Sequence, residues 1–111
     1  MNTAYLHLFA SILLICLSLP LILGVVKMNR FYGVRIPEAF RSEKRWYQIN
    51  RFGGILMLIW GVVLCITATI GMMLDQSQWS KYNLVAIGVA LGGAAVVTIA
   101  IFAYAAATKN D

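Results

Sequence analysis

Three long uncharged segments constrain this chain more than any other feature of its sequence. They cover residues 4–26, 53–74 and 83–107, and none of them contains Lys, Arg, Asp or Glu. Each is as long as the roughly 20 residues that an α-helix needs to cross a hydrocarbon layer of about 30 Å. Because backbone groups in lipid must be hydrogen-bonded internally, each segment is predicted to be a transmembrane helix.

The chain as a whole is predicted to be one membrane domain, residues 1–111. It is 61% hydrophobic and 12% charged, and a soluble domain of this size could not bury so much apolar surface. The first apolar segment has no basic residue before it and no A-x-A cleavage site after it. We therefore interpret it as a retained helix rather than a signal peptide. The predicted fold class is an all-α integral membrane protein with three spans.

The segment between the first two spans, residues 27–52, is strongly basic. It holds seven of the nine Lys and Arg residues, while the next loop has Lys81 alone and Lys109 follows the third span. Since basic loops stay on the cytoplasmic side, this loop and the C-terminus are predicted to be cytoplasmic and the N-terminus outside. The expected location is a bacterial inner membrane. A topological anchor would by itself explain the charge excess.

Residues 42–53 have the pattern of a short amphipathic helix lying in the membrane interface. At helical spacing, the residues that share its apolar face are Ser42, Trp46, Ile49 and Gly53, with Phe52 beside them. Lys44 and Arg51 fall on the opposite, polar face, as expected of a helix that lies on a bilayer. Ser42 is a plausible N-cap, and Gly53–Gly54 is the predicted break before the second span.

An ordered turn is predicted upstream, in residues 29–37. Gly33 allows a positive φ, Pro37 fixes its own φ, and the residue before a proline is biased to extended geometry. Asn29, Tyr32 and Arg35 cluster around this turn. Such a pattern indicates a folded loop rather than a flexible tether.

The same loop carries a family resemblance. The residues concerned are Asn29, Tyr32-Gly33-Val34-Arg35-Ile36-Pro37, Ser42-Glu43, Trp46 and Asn50-Arg51-Phe52-Gly53. This pattern resembles the signature loop of the SdpI family, small bacterial membrane proteins whose named member gives immunity to a secreted toxic peptide. The resemblance implies a membrane protein that binds a partner through this loop. The chain departs from the family pattern at Ile36, where threonine is usual, and at Glu38-Ala39-Phe40.

Arg35 is the first candidate for the centre of a binding site. A guanidinium binds carboxylate or phosphate in a bidentate way. Around it, Asn29, Tyr32 and Asn50 would donate or accept hydrogen bonds and Trp46 would form an aromatic wall. The expected partner is a peptide, a regulatory protein or an anionic lipid headgroup. Five further residues are predicted to attract anionic lipids: Lys27, Arg41, Lys44, Arg45 and Arg51. Equally, Arg35 could serve to order the loop.

Other functions are less favoured by the sequence. There is no set of residues for nucleophilic catalysis, no metal motif and no phosphate loop, so neither enzyme activity nor a cofactor is expected. Gly88 and Gly92 form a GxxxG motif that predicts close helix packing, either within one chain or between copies. An accessory subunit of a larger complex, or a small oligomeric channel or carrier, remain the alternative functions.

Overall fold

The fold consists of three long helices in the computed structural model, which describes residues 2–110. They are α1 (Ala4–Leu23), α2 (Glu43–Met72) and α3 (Trp79–Ala107). Two short 3-10 helices, Pro37–Arg41 and Gln76–Gln78, lie in the connections. All three long helices have the length and apolar composition to cross a membrane. The prediction of an all-α protein with three spans is confirmed.

Helix α2 lies between the other two and runs antiparallel to both. Its contact with α1, the seam, is built from small residues that recur every seven positions. The buried members are Ser11 and Ser18 on α1 and Gly61 and Gly54 on α2, and Ser11 lies against Gly61 and Ser18 against Gly54. Small side chains let two helix backbones approach closely, which is how helices associate where lipid is the solvent.

The tightness of the seam is visible at its two glycines. A Cβ atom at Gly61 would come within 2.7 Å of Ile15 Cγ1, and one at Gly54 within 3.1 Å of the Ser18 carbonyl oxygen. The hydroxyls of Ser11 and Ser18 donate to carbonyls three residues earlier in their own helix, at 2.8 and 2.7 Å. The seam is therefore held by shape, with its polar atoms satisfied inside α1.

The helices differ in length, and the difference makes room for the loop. Helix α1 has 20 residues and α2 has 30, so α2 is about 15 Å longer at 1.5 Å per residue. The first turns of α2 extend beyond the end of α1 at Leu23. Residues 24–42 fold over that end and pack against α2 and α3. Residues 24–42, the first turns of α2 (residues 43–52), and the end of α3 with the residues that follow it (104–110) are together called the basic end below.

A separate interfacial helix that breaks at Gly53–Gly54 is not found. Helix α2 runs without interruption from Glu43 to Met72. The two glycines are buried contact points instead, because Val34 and Ile101 approach Gly53, and α1 approaches Gly54. Glycine permits a break but does not impose one, and here close packing offsets its helix penalty of about 1 kcal/mol. The predicted cap is confirmed, since the Ser42 side chain accepts from Arg45 N at 3.1 Å.

The apolar face predicted for residues 42–53 exists, but protein covers it. Trp46 and Ile49 are fully buried in a cluster with Ala39 from the loop and with Ile101 and Ala105 from α3. Trp46, Ile49 and Gly53 of the predicted face are buried, whereas Ser42 is exposed. Its cover is the folded loop on one side and α3 on the other, rather than lipid.

The opposite end of the molecule is tied together by uncharged polar groups. Asn2 Nδ2 donates to the Gly71 carbonyl at 2.8 Å. Thr3 donates to Asn83 Oδ1 from its backbone nitrogen at 3.1 Å and from its hydroxyl at 2.9 Å. Lys81 is the single Lys or Arg of residues 2–110 at this end. The charge asymmetry of the sequence is therefore an asymmetry between the two ends of the bundle.

Candidate functional site

Asn29 shapes the first turn of the loop. Its Oδ1 accepts hydrogen bonds from the backbone nitrogens of Phe31 and Tyr32, at 2.8 and 2.7 Å, and its Nδ2 donates to the Lys27 carbonyl at 2.7 Å. Such an Asx turn is a local substitute for a backbone turn. The Tyr32 hydroxyl donates to the Leu17 carbonyl of α1, and burial raises the pKa of Tyr32. Asn29 therefore fixes the turn itself, and Tyr32 holds the loop to α1.

Asn50 holds the next part of the loop against α2. Its Oδ1 accepts from Val34 N at 2.6 Å, and its Nδ2 donates to the Trp46 carbonyl at 2.9 Å and, more weakly, to the Val34 carbonyl at 3.4 Å. Gly33 precedes this contact with φ of +113°. A Cβ there would lie 2.6 Å from Asn50 Oδ1. Glycine is required both for the backbone conformation and for the space.

Trp46 is fully buried, so it does not form an open wall of a binding site. Its Nε1 donates to the Val26 carbonyl at 2.8 Å. Its ring packs against Phe40 with ring centroids 5.5 Å apart. Phe40, which the sequence did not single out, is the exposed aromatic residue at this place. The Trp46 side chain supports the loop from beneath.

Arg45 joins all parts of the basic end. It is 4% exposed, and its guanidinium donates to the Ala105 carbonyl at 2.9 Å and to the carbonyl and hydroxyl of Thr108 at 3.1 and 2.9 Å. It also contacts Gln48 Oε1 at 2.8 Å and Glu38 Oε1 at 3.0 Å. A cation at the C-terminal end of α3 complements the helix dipole. The sequence predicted that Arg45 contacts lipid. The structure buries it instead, and it caps the end of α3.

Glu38 is the anionic partner in this network. Burial alone would raise the pKa of its carboxyl, but hydrogen bonds and charge from Arg41 and Arg45 outweigh burial and hold that pKa below its ordinary value. Arg41 extends the network further, since its NH1 also donates to the Lys109 carbonyl at 3.1 Å. The carboxylate thus links the loop to α2 and, through the two arginines, to the end of α3.

Arg35 has a different environment from the residues predicted to surround it. It is exposed, and one of its terminal nitrogens donates to the Arg30 carbonyl at 2.8 Å. In residues 2–110 its other guanidinium nitrogens form no hydrogen bond. It lines an open groove of about 720 Å³, the Arg35 groove, together with Arg30, Gly33, Ile36 and Phe40. Asn29, Tyr32, Trp46 and Asn50 do not line this groove; they support the loop that forms it.

The other predicted positions divide into two sets. Lys27, Arg41, Lys44 and Arg51 are exposed at the basic end, where a headgroup can reach them. Gly88 and Gly92 are exposed on α3, and a Cβ built at either would meet no described atom within 4 Å. The GxxxG motif therefore does not pack within the chain. Packing of this motif between copies of the chain stays a prediction, and a close contact of α3 with α2 lies at the neighbouring Gly93, where a Cβ would overlap the Trp60 ring.

The part of the chain that forms the basic end matches a known family. A sequence profile of the SdpI/YfhL protein family matches residues 25–106, which include the loop, α2 and nearly all of α3. The chain belongs to the SdpI/YfhL protein family. No curated protein and no solved structure shows significant similarity to it.

The match begins just after α1, so the loop of this SdpI/YfhL protein lies entirely inside the family region. Sequence reasoning missed three contributors to the basic end: Glu38, Phe40 and Thr108. Glu38 had a usable signal, because it is one of two acids in a loop with seven basic residues. Thr108 had none, since its proximity to Arg45 depends on how α2 and α3 pack. With three helices long and apolar enough to cross a membrane, the protein is a multi-pass membrane protein.

Proposed function

We propose that this SdpI/YfhL protein is an immunity-type binding protein that works at its basic end. The observation that carries the proposal is the state of Arg35. Its guanidinium is exposed at an open groove and retains unpaired N–H groups, whereas Arg45 nearby is buried and fully hydrogen-bonded. An exposed guanidinium that keeps unpaired N–H groups on an ordered loop is suited to bidentate binding of a carboxylate or phosphate.

The ordering of the loop supports binding in preference to simple charge anchoring. Positive charge that only fixes topology does not need a defined backbone. Here Asn29, Gly33 and Asn50 fix the backbone that leads into Arg35, through hydrogen bonds of 2.6 to 2.8 Å to residues 31–34 and a positive φ. A fixed backbone lowers the entropy that a binding residue loses when it engages its partner.

The chemistry of the Arg35 groove favours recognition without catalysis. It offers two guanidinium groups, the aliphatic Ile36 and the aromatic Phe40. This set suits an acidic group next to an apolar one, such as a membrane-active peptide, an acidic segment of a regulatory protein, or an anionic lipid headgroup. Proton transfer would require a group that titrates near neutral pH, and an arginine does not. We propose a non-enzymatic role that needs no cofactor.

The proposed location is the bacterial inner membrane, with the basic end and the C-terminus in the cytoplasm. The basic end carries eight Lys and Arg residues, and the opposite end carries Lys81. The positive-inside rule then orients the bundle with the N-terminus outside. An immunity role at this position would mean holding a toxic peptide, or a protein that responds to it, at the inner leaflet.

Survival of toxin-sensitive cells tests the proposal. Wild type, Arg35→Ala and the matched control Lys44→Ala, which removes an exposed charge outside the groove, are compared with empty vector. We expect protection from wild type and Lys44→Ala, and loss of protection from Arg35→Ala at an unchanged amount of membrane protein. Wild type no better than empty vector would remove the immunity role. A fall in the amount of Arg35→Ala protein would instead assign Arg35 to loop structure.

A second candidate is an accessory role in a larger assembly, and the exposed glycines of α3 favour it. A Cβ at Gly88 or Gly92 would meet no atom of residues 2–110 within 4 Å, and a shallow face of this kind admits another helix. Purification in mild detergent separates the two candidates. Stoichiometric co-purification of other subunits that is lost in Gly92→Leu supports this second role, and a chain that purifies alone contradicts it.

A further inference from the structure

A second groove at the basic end shares no lining residue with the Arg35 groove. It encloses about 450 Å³ between the start of α2 and the end of α3, and is lined by Tyr47, Gln48, Arg51, Phe52, Ile55 and Tyr104. The Phe52 and Tyr104 rings are stacked, with centroids 4.0 Å apart and planes within 7° of parallel. This pair forms a flat, rigid wall. The groove is called the Arg51 groove below.

Arg51 has a fixed position and an unused binding edge. Its Nε donates to the Ile22 carbonyl at 3.1 Å, in the last turn of α1. In the part of the chain that the structure describes, its two terminal nitrogens form no hydrogen bond. The bond to α1 orients the guanidinium while leaving the edge that grips two oxygens of one phosphate.

The depth of Arg51 in the membrane follows from the helix it contacts. Because Ile22 belongs to the last turn of α1, Arg51 lies level with the end of the first span, where hydrocarbon gives way to headgroups. Ile55 is one turn further along α2 toward the membrane centre, about 6 Å deeper. Tyr47 and Gln48 lie one turn in the other direction. The groove thus passes from polar groups through a cation and aromatic rings to an aliphatic side chain.

This order of chemistry is that of a phospholipid in the same leaflet. We propose that the Arg51 groove binds one anionic phospholipid, with its phosphate on the terminal nitrogens of Arg51 and one acyl chain along Phe52, Tyr104 and Ile55. Tyr47 and Gln48 contact the headgroup beyond the phosphate. The proposal does not rest on the function proposed for the Arg35 groove, because the two grooves have separate residues.

Native mass spectrometry of the delipidated protein, titrated with phosphatidylglycerol or phosphatidylcholine in detergent, tests this site. Arg51→Gln should weaken binding of the first phosphatidylglycerol about tenfold. Lys44→Gln removes the same charge from an exposed position outside the groove and should weaken it by no more than about twofold in 0.15 M salt. Ile55→Trp keeps the charge but fills the lower part of the groove, and should weaken binding as well. Ile55 is exposed, so this variant folds even if Arg51→Gln does not.

Three results would overturn the proposal. Equal weakening by Arg51→Gln and Lys44→Gln would mean diffuse attraction with no site. Equal affinity for phosphatidylcholine and phosphatidylglycerol would remove the preference for an anionic lipid. Competition by soluble glycerol 3-phosphate at the concentration of the lipid would mean that an anion is bound without its acyl chain.

Discussion

The seam and the basic end hold the same helix, α2, by different means. Along the seam, Gly54 and Gly61 meet α1 through backbone and aliphatic contacts, and the buried hydroxyls of Ser11 and Ser18 bond within their own helix. At the basic end, Arg45 alone makes hydrogen bonds to the loop, to α2 and to α3. The seam depends on glycines, which have no side chain to separate the two helices. The basic end depends on the long charged side chain of Arg45.

The contrast follows from the two solvents. In hydrocarbon, an apolar surface gains nothing by leaving the solvent, so association there depends on packing. At the headgroup level, backbone carbonyls at helix ends lack partners and a cation can satisfy them. The difference implies that the two regions fail in different ways, and four substitutions or conditions separate them.

The largest effect is expected from Arg45→Ala. It leaves the Ala105 and Thr108 carbonyls without their donor and removes a cation from the end of α3, at a cost of about 3 kcal/mol or more. The thermal midpoint in detergent measures the loss. Lys44→Ala, an exposed position one residue away, should leave the midpoint unchanged. Equal midpoints for both variants would show that the network does not stabilise the basic end.

Gly61→Leu should have the next largest effect. The added side chain meets Ile15 Cγ1 and the Ser11 carbonyl, and overpacking of this kind costs about 2 kcal/mol. Gly92→Leu introduces the same side chain at an exposed helix position and is the control. If Gly61→Leu lowered the stability no more than Gly92→Leu does, the result would contradict the close approach of α1 and α2.

Asn50→Leu should cost about 1–2 kcal/mol, because it leaves the buried Val34 N–H without its acceptor. Hydrogen exchange read at the Val34 amide locates the damage. We expect faster exchange there in Asn50→Leu and unchanged exchange in Gly61→Leu. Loss of protection at Val34 in both variants would mean that the seam and the basic end unfold as one unit.

The smallest expected effect is a loss of stability of the folded protein at low pH. Because the pKa of Glu38 is held below its ordinary value in the folded protein, its ionised form contributes stability above that ordinary value. The contribution is lost as the pH falls through the lower, folded-state pKa. At pH values below about 4, the thermal midpoint of wild type should decrease with falling pH more steeply than that of Glu38→Gln. Glu43→Gln, at an exposed position, should keep the wild-type slope.

The sequence predicts the spans well because each apolar segment determines its own structure. It also identifies Ser42 as a cap, since capping depends on neighbouring residues. The sequence does not identify which part of the protein, or whether lipid, covers the apolar face of a helix. Trp46 and Asn50 were predicted to contact a ligand because exposed aromatic and amide groups do so, but Val26 and Val34 already occupy them. Arg45 was predicted to contact lipid because it is a basic residue in a basic loop. Its actual partners, Ala105 and Thr108, could not be identified because they lie some 60 positions away in sequence.

The partners of Arg45 also fix an order of events during synthesis. Ala105 and Thr108 leave the ribosome long after Arg45, because they lie about 60 residues later in the chain. Until α3 has crossed the bilayer and brought its end back, the guanidinium has no carbonyls to engage. Closure of this contact therefore requires that α3 has already inserted and packed against α2.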